Sequence, residues 1–395
     1  MSHPVLPPEM LDSIVDLLCH EPKTLRQCCL VSKSWVPRTR KYLFAVIKFP
    51  TPSHIEAWKR TFPVPSDSPA HYTHALTIRF LGVTTAPDGV EDVSIPAFPR
   101  LVRLEVIESP NLSRGYMNPA AFQGFPHTLK SLSVSSFSLV LSRVFSLICS
   151  IPFLEDLSLT GHLADFNNND PDGRHIVAHP PTSPPLTGAF VFRVYREIGG
   201  TARRLLNLPN GLHFRKLQLE WYGRGDLHHI MELVTACSGT LECLDIACPS
   251  EGAIQFLSCR SLTLTFQFTD GGQSAPVQVN LSKATKLQHI TFRCRSLGTG
   301  WITTTLETIT AGHRDLQRIS VNVDYVHVLV KSNPGMGWPD LERFLIKLWE
   351  SRSVRTTLEC IDPWSITGRM VGLAMCLLPE LTRRGAIDLV EIPVV

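Results

Sequence analysis

From residue 70 onward a single pattern recurs along the chain: apolar, two variable positions, apolar, one variable position, apolar. Copies start at Thr73, Leu101, Leu129, Leu154, Thr187, Phe214, Leu241, Cys259, Leu287 and Leu316, between 18 and 33 residues apart. Three positions into each copy stand Leu76, Leu104, Leu132, Leu157, Phe190, Leu217, Leu244, Leu262, Ile290 and Ile319. Two further on come Ile78, Val106, Val134, Leu159, Phe192, Leu219, Ile246, Leu264, Phe292 and Val321, so both columns are wholly apolar. Alternation with period two predicts a strand in each copy, and intervening stretches such as Ile230, Leu233, Val234 and Cys237 carry helical spacing. One strand with its return segment cannot bury an apolar face alone, so the copies must stack into an α/β array.

The first 50 residues read differently. Pro7-Pro8-Glu9 opens a helix with Leu11, Ile14, Val15 and Leu18 on one side. Thr24 and Gln27 form the pattern of a capping box for a second helix, which carries Leu25, Cys28, Cys29, Ser32 and Trp35. Pro37 starts a third, with Tyr42, Leu43, Phe44 and Ile47. Three helices this short cannot close a core by themselves. Residues 51–70 read as a linker and 71–395 as the array. The Asn- and Pro-rich stretch 161–185 is expected as a surface insertion, and the array is expected to end in an atypical cap, with a helix opened by Pro339 and weaker strands around Leu358 and around Ile387 and Leu389.

Composition narrows the possible functions. A net charge of +3 over 395 residues gives little field for capturing a polyanion. Lys33, Arg38, Arg40, Lys41 and Lys48 make the N-terminal region locally basic, but no stacking aromatics are interleaved, so no nucleic-acid partner is expected. No apolar run approaches a bilayer span and the first residues are no export signal, so neither a membrane nor secretion is expected. Eleven cysteines is an odd number, and they read as reduced thiols. Cys237, Cys243, Cys248 and Cys259 are spaced too widely for a structural zinc knuckle, even with His228 and His229 nearby.

Leu6-Pro7-Pro8-Glu9-Met10-Leu11, then Ile14, Leu17 and Leu18, then Cys29-Leu30-Val31-Ser32-Lys33-Ser34-Trp35 and Tyr42-Leu43-Phe44 closely resemble the F-box. The array is similar, in period and apolar columns, to the leucine-rich-repeat half of such proteins. The implied architecture is α/β, an N-terminal three-helix F-box in residues 1–50 followed by an irregular leucine-rich-repeat-type solenoid. The resemblance implies a substrate receptor, docked on the Skp adaptor of a cullin-RING ubiquitin ligase in the cytoplasm or nucleus, with an unnamed protein as target. Carried over residue by residue, Leu6, Pro7, Met10, Leu11, Ile14, Leu18, Leu25, Val31 and Trp35 form the adaptor-facing or core set, and packing cannot be told from docking within it. A repeat scaffold unconnected to ubiquitin, with the helices as an end cap, is the alternative. The chain departs from regular repeats where an asparagine usually satisfies the turn: residues such as Leu81, Ser109, Tyr222 and Arg295 stand there instead, so other groups must satisfy the backbone.

No GxSxG, GxxxxGK[ST], HExxH or GxGxxG motif is present, and Gly223-Arg224-Gly225 and Gly298-Thr299-Gly300 read as turns, so no enzyme and no cofactor is expected. Side chains between the apolar columns, nearly all polar, face away from the core. Arg193, Lys216, Gln218, Glu220, Asp245, Thr263, His289, Thr291, Arg293 and Arg318 on that face are the candidate substrate contacts.

Overall fold

The computed structural model describes residues 7–80, 95–108, 127–164, 184–196, 198–220, 227–248, 278–294, 299–324, 337–362 and 369–393. The chain divides into two compact units, Met1–Pro185 and Leu186–Val395. The first holds helices α1 (Pro8–Leu17), α2 (Pro22–Val31) and α3 (Val36–Leu43), strand β1 (Val46–Phe49), α4 (Pro52–Thr61), β2 (Ala75–Phe80), β3 (Arg103–Glu108), β4 (Ser131–Val140), α5 (Leu141–Ser150) and β5 (Asp156–Ala164). The second holds β6 (Ala189–Arg196), α6 (Ile198–Leu206), β7 (Lys216–Glu220), α7 (Leu227–Cys237), β8 (Cys243–Cys248), β9 (His289–Cys294), α8 (Gly300–Leu306), β10 (Arg318–Asp324), α9 (Trp338–Arg352), β11 (Arg355–Asp362), α10 (Arg369–Leu377), α11 (Pro379–Arg383) and β12 (Ile387–Pro393). Within each unit every strand pairs in parallel with its sequence neighbour.

The register aligns the apolar columns. In the first unit Leu76, Leu104, Leu132 and Leu157 stand opposite one another, as do Ile78, Val106, Val134 and Leu159, and none of the eight is more than 1% exposed. In the second, Phe190, Leu217, Leu244, Ile290 and Ile319 form one column and Phe192, Leu219, Ile246, Phe292, Val321 and Leu358 the other. Helices return over this side and bury Ile198, Ala202 and Leu205 of α6, Ile230, Leu233, Val234 and Cys237 of α7, and Leu341, Leu345 and Leu348 of α9. Sheet and helix faces that are apolar on one side only must meet in this way.

The backbone supplies what an asparagine ladder would have supplied. The carbonyl just ahead of a strand accepts two amides from the next repeat: His74 O from Val102 and Arg103, Val102 O from Lys130 and Ser131, Lys130 O from Glu155 and Asp156, at 2.8–3.0 Å. The second unit repeats the device at Gly188, Arg215, Glu242 and Gln288. Threonines take the preceding carbonyl, Thr73 from Phe44, Thr128 from Leu101 and Thr240 from Phe214. At the other end of the chain the buried Glu342 of α9 accepts from Glu380 N and Leu381 N, capping α11.

Several expectations need correction. The third helix ends at Leu43, and Ile47 lies instead on β1, opposite Leu76, because Val46–Phe49 alternates with period two. The second helix starts at Pro22, and Thr24 donates to Glu21 rather than forming a capping box with Gln27. Residues 51–70, expected as a linker, hold α4, whose Ile55 is fully buried and whose Trp58 packs against Phe44, Phe49, Phe62 and Phe98. Thr187 is exposed and Leu186, with φ 43°, takes the buried place. Gly161–Ala164 belong to β5, and 165–183 of the expected insertion lie outside the described residues. So do Cys259, Leu262, Thr263 and Leu264; β8 pairs directly with β9, so no strand from that copy stands between them. The C-terminal helix and both weaker strands form, as α9, β11 and β12.

Phe190 stacks on Phe214 with centroids 4.9 Å apart, and Phe192 beside them is fully buried. Phe192→Ala is expected to lower the unfolding free energy of the second unit by about 3–5 kcal/mol in urea titration.

Candidate docking surfaces

The N-terminal helices are held together from inside and bare outside. Val15 of α1 and Leu25 of α2 are 1% exposed, and Cys28 and Thr39 are buried beside them. The Thr39 hydroxyl lies 2.8 Å from Cys29 Sγ and donates to the Trp35 carbonyl. Asp16 ties α1 to α3: its carboxylate accepts a fork from Arg38, at 2.7 and 2.5 Å, and the Tyr42 hydroxyl at 2.7 Å. These donors, Arg38 first, hold the Asp16 carboxyl down at about 2, and the same bond raises the Tyr42 hydroxyl above its ordinary value.

Met10, Ile14 and Leu17, one turn or so apart on α1, are 53%, 38% and 83% exposed, and Leu30 and Val31 at the end of α2 are 87% and 71% exposed. Large apolar side chains this bare on short helices form an exposed apolar face of the kind that suits a docking surface. The structure thus divides the expected adaptor set. Met10, Ile14 and Val31 point outward; Leu11, Leu18 and Trp35 are half-buried; Leu25 is packing; Pro7 is exposed and its carbonyl opens α1; Leu6 lies outside the described residues. Leu17 and Leu30 were missed because they fall off the buried stripe. An apolar residue on the otherwise polar side of an amphipathic helix was the available signal.

On the sheet of the second unit the expected substrate contacts do share one face. By register Lys216, Cys243, His289, Arg318 and Arg355 form one row, Gln218, Asp245, Thr291, Ser320 and Thr357 the next, and Glu220, Arg293, Asn322 and Glu359 a third. Arg193 stands opposite Glu220, 3.7 Å from its carboxylate. The middle of the face satisfies itself: Arg293 grips Asp245 with two bonds of 2.9 and 2.6 Å, and Gln218 donates to the same carboxylate at 3.0 Å. Burial nevertheless pushes the Asp245 carboxyl up, against the pull of Arg293.

Among the described residues one cluster has metal-ligand composition: His228, His229 and Glu232 of α7 bring their ligand atoms within 4.8 Å of one another. Glu232 lies 3.2 Å from each imidazole, a pairing that i,i+3 and i,i+4 spacing accounts for. Of the widely spaced cysteines, Cys237, the last residue of α7, is buried, which drives its thiol up to about 12, while Cys243 sits on the opposite face of the sheet and Cys259 is outside the described residues. Thr299 is the N-cap and Gly300 the first residue of α8, so these two open a helix rather than a turn; Gly298 and Gly223-Arg224-Gly225 lie outside the described residues. No helix among the described residues is long and apolar enough to cross a membrane. No protein-family model and no curated protein matches this chain.

Two predictions follow from these carboxylates. With a folded-state value near 2 against an ordinary 3.8, Asp16 contributes stability that is complete above 3.8 and is lost as pH falls toward 2. The stability gap between wild type and Asp16→Asn, read from thermal midpoints, should be constant in neutral solution and close over that acid range. Arg293→Met leaves Asp245 without its cation, so its carboxyl rises further. A raised folded value favours folding in acid and disfavours it as pH climbs through it, so this variant should be destabilised more near neutral pH than in mild acid. Adding Asp245→Leu should restore most of the loss.

Proposed function

We propose that this chain is a non-catalytic substrate receptor of a Skp-cullin-F-box ubiquitin ligase, working in the cytoplasm or nucleus. Residues 7–44 act as the F-box and dock on the Skp adaptor, and the leucine-rich-repeat-type array holds the target protein. The observation that carries this reading is the bare apolar set Met10, Ile14, Leu17, Leu30 and Val31, which falls inside the stretch whose sequence resembles the F-box. Lys33, Arg40 and Lys41, exposed nearby, suit an acidic partner surface. The chain's contribution is position: it raises the effective concentration of an acceptor lysine near a ubiquitin donor carried by other subunits.

A second reading is a repeat scaffold unconnected to ubiquitin. It is favoured by the absence of any linker between α3 and β1, which lets the helices serve as the end of the first unit.

Co-purification with the Skp adaptor separates the two. Leu17→Glu with Leu30→Glu alters only exposed positions, so far-ultraviolet circular dichroism and the thermal midpoint should match wild type while adaptor binding falls at least about tenfold, because apolar area no longer leaves water. A folded wild type that captures no adaptor, or a double variant that captures it as well as wild type, defeats the receptor reading.

A further inference from the structure

Helix α7 packs Ile230, Leu233, Val234 and Cys237 inward and carries His228, His229 and Glu232 beside one another at its start. The ligand atoms of these three lie within 4.8 Å of one another. His228 Nε2 is 3.2 Å from one Glu232 oxygen, and His229 Nδ1 is 3.2 Å from the other. Two ligands of a tetrahedral zinc, each about 2.0–2.1 Å from the metal, stand about 3.3 Å apart. The separations are therefore those of ligands that share an ion as well as those of hydrogen bonds.

Helical spacing explains why three side chains of one helix converge, but it does not explain where the His229 ring is seated. That ring, 18% exposed, fills the room that a side chain on Gly199 of α6 would take: a Cβ there would stand 2.5 Å from Nε2 and 2.9 Å from Cδ2. With Nε2 packed against α6, Nδ1 is the nitrogen turned to Glu232. A neighbour that fixes the orientation of a ligating imidazole raises metal affinity, because less freedom is lost when the ion arrives. His228, 74% exposed, has the space to turn its Nε2 toward the same point.

We propose that His228, His229 and Glu232 bind one zinc ion, through His228 Nε2, His229 Nδ1 and a Glu232 oxygen. Two imidazoles with a carboxylate favour zinc over calcium or magnesium, which take oxygen ligands. The charge of Glu232 offsets the opposition of the α7 N-terminus to a cation. Three protein ligands leave a tetrahedral ion one open place, and at an exposed site that place takes water or a side chain of another protein. The site belongs to the second unit and is independent of the apolar set on α1 and α2, so it goes beyond both readings of function and requires neither.

The test is equilibrium dialysis of the full-length chain, stripped with a chelator and kept reduced, against graded free zinc, with bound metal counted by atomic absorption. His228→Gln and Glu232→Gln should each lower the affinity of one zinc equivalent at least about tenfold, while the metal-free thermal midpoint stays close to wild type. Gly199→Ala keeps all three ligands but pushes the His229 ring aside, and it should weaken the same equivalent about tenfold. Cobalt loaded in place of zinc should give ligand-field absorption that both ligand variants lose, without a thiolate charge-transfer band. Equal zinc uptake by wild type and the two ligand variants, an unaltered affinity in Gly199→Ala, or a thiolate band from the equivalent that the variants lose overturns the proposal.

Discussion

Parallel register between successive strands is the constraint from which the rest of this structure follows. A strand of the recurring type has one apolar edge and one polar one, and neither a single strand nor its return segment can remove the apolar edge from water. Pairing at the register seen here sets leucine against leucine and phenylalanine against leucine, column upon column. A slip of one residue would turn every column to the solvent face, so burial and register enforce each other. The same register sets the polar side chains in rows on the other face and fixes which charges become neighbours.

The strand starts show how register places charge. Each carbonyl that accepts two amides from the next repeat pins the first residue of the following strand. Those first residues include Lys216, Cys243, His289 and Arg318, and Arg355 beside them donates its amide to the Gln317 carbonyl, so the backbone fixes one row at the start of the strands that holds a lysine and two arginines. Further along the strands the charges are opposite in sign and close on each other, as Asp245 and Arg293 do. The face therefore has a middle whose charges close on each other, with Lys216, Arg318 and Arg355 in the row at the strand starts.

At the N-terminus the division is between inside and outside. Asp16, held as an anion by Arg38 and Tyr42, joins α1 to α3 while Val15, Leu25, Cys28 and Thr39 fill the small interior. So small a core leaves apolar side chains over. Met10, Ile14, Leu17, Leu30 and Val31 remain in water.

Local periodicity by itself determined that the protein is an α/β array, which side chains form its core columns and that the first helices are amphipathic, because burial on one face imposes a period that is read directly along the chain. It misread Ile47 and residues 51–70, where short apolar stretches fit helix and strand alike and only packing against β2 or Phe98 chose between them. Period also identified the polar face without separating Asp245, bound by Arg293, from Arg318, which faces Arg355. Only the tertiary structure decided that Leu25 is core while Leu17 and Leu30 are bare, and that Gly199 of α6 makes room for His229 of α7. Such juxtapositions depend on distances between residues far apart in the chain, and no periodic signal along a sequence carries a distance across strands.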